Sequence, residues 1–186
     1  MVSQYTETQK VNISDPSGRL GLQSFNFPYT PNISVSSSTN YATYDLTHTN
    51  LQQMAFQSGN NPEISLTAPI IVRNEDEANS VISGSRFFRA AMKMGFGEND
   101  PLRGLPPPIM RFNAYGVYTN VPVLIREFVW NFDADTDYLE TSGGISVPVV
   151  STFVVGLITT YGTKNVRQNF TLRDYANGNL NDKGYI

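Results

Sequence analysis

The chain has no cysteine among its 186 residues, which excludes disulfide staples, thiol nucleophiles and zinc–thiolate sites. It has one histidine, His48, set in a Ser/Thr/Asn-rich stretch where no spacing supplies a nucleophile or a carboxylate partner. Charge is sparse: 16% of the residues are Asp, Glu, Lys or Arg, against about a quarter in ordinary domains. The net charge of -3 argues against a protein that grips nucleic acid through its phosphates. No apolar stretch is long and unbroken enough for a membrane span. The run 145–161 is interrupted by Pro148, Ser151, Thr152 and Gly156 and reads as a buried strand. The start, Met1-Val2-Ser3-Gln4, lacks a basic region followed by an apolar one, so the expectation is a soluble protein of cytosolic origin with no secretory signal.

What is present is aromatic and β-prone. Phe, Tyr and Trp make up 12% of the chain, and three apolar runs, 109–115, 121–132 and 145–161, follow the stiff segment Leu105-Pro106-Pro107-Pro108. In the second run Leu124, Phe128, Trp130 and Phe132 share one parity, and Val121, Val123, Ile125 and Val129 share the other. Arg126 and Glu127 are the polar interruptions. A strand apolar on both sides is expected to be covered twice, by its own core and by a helix or another subunit. Shorter strands are expected at 22–27, 33–38 and 63–72, and a turn-rich loop at 36–50, either one that orders on contact or an ordinary long surface loop. Residues 1–20 are expected to form a polar N-terminal arm and residues 21–186 a single domain.

One helix is well marked, at about 75–94. Asn74 is a suitable N-cap, Glu77 stands three residues on, and Glu75 and Asp76 occupy the first turn, where the helix dipole favours acids. Ala78, Val81, Ser85, Phe88 and Met92 recur at spacings of three and four, widened by Phe87, Ala91 and Met94. Arg86, Arg89 and Lys93 form a basic strip on this helix. Its plain reading is a solvated face matched to the dipole; its sharper reading is a dock for an acidic neighbour.

Chemistry-bearing clusters are weak. Asp133, Asp135 and Asp137 alternate as calcium ligands can, but Tyr138 stands where an EF-hand needs glycine and Gly144 where it needs glutamate. An acidic turn between strands is the better reading. Gly95-Phe96-Gly97 and Gly143-Gly144 are too short to cradle phosphate. The expectation is no catalytic residue, no cofactor and no metal. Trp130, between Phe128 and Phe132, reads as core or interface packing rather than a sugar-stacking platform.

Four stretches, in order, then suggest a family. They are Ser85-Arg86-Phe87-Phe88-Arg89-Ala90-Ala91-Met92-Lys93-Met94-Gly95-Phe96-Gly97; Gly104 through Gly116, with its Pro106-Pro107-Pro108-Ile109-Met110-Arg111-Phe112; Val121-Pro122-Val123 with Phe132-Asp133-Ala134-Asp135-Thr136-Asp137-Tyr138; and Val147-Pro148 leading into a long β run. Together with the ending Gly184-Tyr185-Ile186, the stretch from about 60 to 186 resembles the baseplate tube-initiator and tube-cap proteins of contractile-tailed bacteriophages, which share the tail-tube fold. The first 60 residues do not match. The resemblance implies an α+β, mainly β fold: a tail-tube-like two-sheet sandwich or barrel with one flanking helix, whose strands join into a ring barrel on oligomerisation.

It further implies a structural virion protein at the junction of baseplate and tube. Six copies would form a ring that connects the hub to the tail-tube protein and templates tube polymerisation, with DNA only as non-binding cargo in the lumen. Arg86, Arg89, Lys93, Arg126, Glu127, Trp130, Asp133 and Asp135 are the candidates for subunit or ring contacts. The tail-tube protein itself is the nearest alternative. A carbohydrate- or other ligand-binding β-sandwich is the alternative of another class, favoured by exposed aromatics in a groove.

Overall fold

A computed structural model describes residues 11–186. Strand predominates. Eleven strands and three helices occur among these residues: β1 Asn12–Ser14, β2 Ser24–Asn26, β3 Asn32–Ser36, β4 Thr39–Tyr44, β5 Gln53–Gly59, β6 Glu63–Ile71, α1 Glu75–Ala91, β7 Met110–Ala114, β8 Tyr118–Phe132, β9 Tyr138–Glu140, β10 Ser146–Pro148, β11 Val150–Thr159, α2 Thr163–Asn169 and α3 Leu172–Ala176. Seven strands form one sheet in the order β2-β1-β7-β8-β11-β6-β3, and β4–β5 and β9–β10 are separate two-stranded ribbons. The mainly β character and the flanking helix are as expected. The seven-stranded sheet does not close within one chain: β2 is its edge on one side and β3 on the other.

Strict alternation builds the core face of this sheet. In β6, Ile64, Leu66, Ala68 and Ile70 are buried while the residues between them are exposed; in β11, Phe153, Val155 and Leu157 do the same work, since a strand's side chains point to opposite faces in turn. β8 departs from this, and here one expectation is corrected. Gly156 of β11 pairs with Glu127, but the next residue, Leu157, pairs with Ile125, so Arg126 is the extra residue of a β-bulge. The bulge swaps the parity of β8. Val121, Val123 and Ile125 before it face the same side as Phe128, Trp130 and Phe132 after it, because both sets pair with core-facing partners. The large apolar side chains of β8 therefore gather on one side. Its second face is mixed, with Pro122, Leu124 and Val129 half-buried and Glu127 and Asn131 exposed, so full burial is found on the core side alone.

α1 lies over the core face. Asn74 Oδ1 accepts from the N–H of Glu77 at 2.9 Å, as the sequence predicts. Ala78, Val81, Ile82, Gly84, Ser85, Phe87, Phe88 and Ala91 are its buried residues. Phe88 is the hub: its ring meets Phe25 at 5.1 Å, Phe128 at 5.1 Å and Phe153 at 6.2 Å, geometry that adds to the burial of apolar area. The helix comes so close to the sheet that a Cβ on Gly84 would sit 2.2 Å from Phe25 Cε2. It ends at Ala91, three residues before the predicted limit, and Met94 is exposed rather than packed.

The N-terminal arm also changes. Residues 1–10 of it lie outside the described residues, but 11–20 belong to the domain. β1 sits between β2 and β7, with Val11 and Ile13 buried. Three residues are too short to announce themselves as a strand by alternation. Asp15 then ties the following turn: its carboxylate accepts from the Ser17 N–H at 2.8 Å, the Ser17 hydroxyl at 2.5 Å and the Arg19 N–H at 2.9 Å. Burial pushes the Asp15 pKa up, but the hydrogen bonds from Ser17, Leu20 and Arg19 outweigh it and hold the carboxyl below its ordinary range.

The C-terminal end packs as a small second cluster, with Leu180 and Tyr185 buried and the rings of Tyr161 and Tyr185 stacked at 4.8 Å. Gly184, at φ +80°, lies where a Cβ would come within 2.6 Å of the Asn120 carbonyl. Thr171 caps α3 through the Asp174 N–H at 3.1 Å. α2, which has no buried residue, is unpredicted, because a helix without a packed face leaves no periodic stripe. No helix of the described residues is long and apolar enough to cross a membrane.

Candidate assembly surfaces

The predicted contact residues fall in three separate places. Arg86 and Arg89 are exposed on α1, away from the buried Phe87 and Phe88, and Lys93, also exposed, lies two residues past the end of the helix. Asp133 and Asp135 lie in the exposed turn between β8 and β9, together with Asp137. Among the described residues no group of three or more His, Asp or Glu is arranged to hold a metal ion. The turn is held by backbone geometry instead: Val149 N–H donates to the Asp137 carbonyl at 2.8 Å, and Val150 N–H to Thr136 Oγ1 at 3.0 Å. Nearby, the Glu75 carboxylate accepts from the N–H and hydroxyl of Ser142, which joins the start of α1 to the β9–β10 ribbon and lowers the carboxyl's pKa.

Arg126 and Glu127 are both at the bulge, on the second face of the sheet. Arg126 Nη1 meets Glu63 Oε1 at 2.5 Å, the one ion pair among the described residues. Both side chains are more than half exposed, so the pair contributes at most about 1 kcal/mol. Glu127 packs its Cβ over Gly156, where an added Cβ would meet it at a tight 3.3 Å. Trp130 is half-buried at the edge of the core, with its ring 5.4 Å from Phe153 and 4.7 Å from Phe132. Its indole N–H is buried without a partner, a cost of about 1–3 kcal/mol.

A further exposed apolar surface lies elsewhere. β4 and β5 form a ribbon that stands off the domain: every residue from 34 to 61 is exposed except Ala42 and Ala55, which are half-buried. Tyr41 pairs with Phe56 and Thr43 with Met54, so Tyr41, Met54 and Phe56 share one face, with the two rings 6.2 Å apart edge to face. Phe56 is 68% exposed, Met54 66% and Leu51, in the connecting loop, 82%. Residues 36–61 contain a single carboxylate, Asp45, and no Lys or Arg. At the root, Asn60 donates to the Ser38 carbonyl and hydroxyl at 3.0 and 2.8 Å, and Asn40 donates to Asn60 at 3.0 Å.

Sequence reasoning read 36–50 as a loop that orders on contact and did not see the ribbon. Its polar residues are Ser, Thr, Asn and Gln rather than charges, and a bulge between Asn40 and Tyr41 breaks the alternation. The pairing of Tyr41-x-Thr43 with Met54-x-Phe56 is the signal that was available.

A second feature missed from sequence is a groove of about 730 Å³ between the β3 edge and the β7–β8 turn. Pro31, Ile33 and Val35 line one wall and Tyr115, Val117 and Tyr118 the other, and no lining residue is charged. Tyr115 is held at φ +52° beside Gly116 at φ +74°, a left-handed conformation that is strained for a bulky side chain.

No protein-family model matches the chain, and no curated protein matches it in sequence. Among solved structures, a chain in the "Tail of empty GTA particle computed with helical refinement, C6 symmetry" is similar with a TM-score of 0.41 and 9% identity, over 86% of this chain and 96% of that one. A likeness of this degree says nothing of what the present chain binds or how it assembles.

Proposed function

We propose that this chain is a structural, non-catalytic subunit of a contractile phage tail, six copies of which form a ring at the junction of baseplate and tube and template polymerisation of the tail tube. The observation that carries the reading is the β4–β5 ribbon, which holds Tyr41, Met54 and Phe56 in solvent on a surface almost without charge. An isolated two-stranded ribbon is marginal in water, and contiguous exposed apolar side chains of this kind mark interaction sites. The open edges at β2 and β3 add strands that pairing with a neighbour would protect. The motif order from Ser85 to Pro148 supplies the particular setting, by resemblance.

The test is the mass of the purified chain in solution, followed by electron microscopy with a candidate tube protein added. Rings of about six subunits, as closed cyclic symmetry requires, that seed short tubes are the expected result. Long tubes formed by this chain alone would make it the tail-tube protein. A monomer that seeds nothing defeats the ring reading. One observation favours a ligand-binding module in that event: Tyr115 and Tyr118 stand in a groove, and retention of the monomer on immobilised polysaccharide would establish it.

A further inference from the structure

We infer that the β4–β5 ribbon of one copy seats in the β3/β7–β8 groove of the next copy, Tyr41, Met54 and Phe56 packing against Ile33, Val35 and Val117. This rests on the ring reading above and names the contact that would join its subunits. Each chain carries one apolar ridge and one apolar groove. Neither is filled by its own partner: Phe56 and Met54 are in solvent, as are Val35 and Val117.

Ridge and groove match in chemistry. The groove has no charged lining residue, and the ribbon carries only Asp45, in its loop, so joining them strands no ion away from water. A partner of different chemistry would have to be equally uncharged over the same area, whereas a second copy supplies the complement by construction. The ribbon is long. Seven residues of β5 extend about 24 Å at about 3.4 Å per residue, before the loop 45–52 is added. A ridge-to-groove contact between unlike surfaces is heterologous, and it repeats from copy to copy around a ring or along a stack. The strained Tyr115 at the rim fits a site whose geometry is held for a partner.

The absence of native cysteine allows a direct test. Thr43→Cys on the ribbon face and Thr30→Cys on the groove rim leave Phe56 and Val117 in place; the two chains are prepared separately, mixed in equal amounts, assembled and treated with a short flexible bismaleimide, since a disulfide would require Cα atoms within about 7 Å. The expected result is at least tenfold more cross-linked dimer in the mixture than in either variant alone. Equal dimer in all three samples overturns the inference. So does a T43C/T30C double variant that cross-links within one chain.

Electron microscopy of the same samples separates the two ideas. Assembled particles without mixed dimer sink this contact and leave the ring reading intact; no assembly under any condition sinks both. As a second readout, Val117→Arg is expected to abolish assembly with the melting temperature unchanged. Particles that still form would overturn the inference.

Discussion

The seven-stranded sheet and the β4–β5 ribbon are made by the same chain under opposite rules. In the sheet, apolar residues alternate with polar ones and the core-facing set is buried under α1: Phe112 and Phe153 of the strands and Phe88 of the helix are wholly inside. In the ribbon, Tyr41, Met54 and Phe56 are also paired across strands, yet they stand in water. Strand pairing alone does not make a core. A ribbon buries one face only if something lies over it, and among the described residues nothing does. The sheet is stable because α1 covers it. The ribbon has the composition of a covered surface without a cover, and the contrast is sharpened by asking what each region loses when an aromatic is removed.

The largest effect is expected in the core between α1 and the sheet. Phe88→Ala removes a wholly buried ring that touches Phe25, Phe27, Phe87, Phe128 and Phe153, at a cost of about 3–5 kcal/mol. Denaturant unfolding should show the midpoint falling sharply; a loss below about 1 kcal/mol would mean that α1 does not hold the core face as described. Gly84→Ala should follow at about 1–3 kcal/mol, because the added Cβ must displace the Phe25 ring or the helix. Equal stability of the alanine variant would show that the helix can back away from the sheet at no cost.

Asp15→Asn tests the turn that ties the N-terminal strand into the sheet, at about 1–3 kcal/mol for its buried acceptor oxygens. The carboxyl has a folded pKa below its ordinary value of 3.8. The charged form is therefore favoured by folding, and this contribution is complete above the ordinary value. It is lost as pH falls through the lowered folded value. The stability gap between the two chains should be constant from pH 8 to about 5 and shrink towards zero in stronger acid. A gap that widened on acidification would contradict the assigned hydrogen bonds.

How much of this was legible depends on whether a feature is local. Asn74, Glu77 and the stripe from Ala78 to Phe88 specify α1 within one stretch of chain, and the structure reproduces them. The bulge at Arg126 does not announce itself. Inserting one residue swaps the parity of everything after it, so Phe128, Trp130 and Phe132 read as a second apolar face when they continue the first. β1 is three residues long and exists because β2 and β7 flank it, a fact about distant residues. The exposure of Arg86 and Arg89 followed from the helix pattern, whereas Lys93 falls past the helix end. The groove did not, because Pro31 to Val35 and Tyr115 to Tyr118 meet only in the fold.

The smallest effect on stability, and the one that divides the two regions most cleanly, is expected at Phe56. With its side chain 68% exposed, Phe56→Ser should change the unfolding free energy of the monomer by less than about 0.5 kcal/mol, the usual range for a surface substitution. Assembly should nonetheless be lost, since a large aromatic in the middle of an apolar contact is where binding energy concentrates. Removing an aromatic ring thus destabilises the chain when done in the core and isolates it when done in the ribbon. If Phe56→Ser instead destabilised the monomer by several kcal/mol, the ribbon would have to pack on its own domain. Its apolar face would then be part of the core, and the surface assigned here to a neighbour would already be occupied.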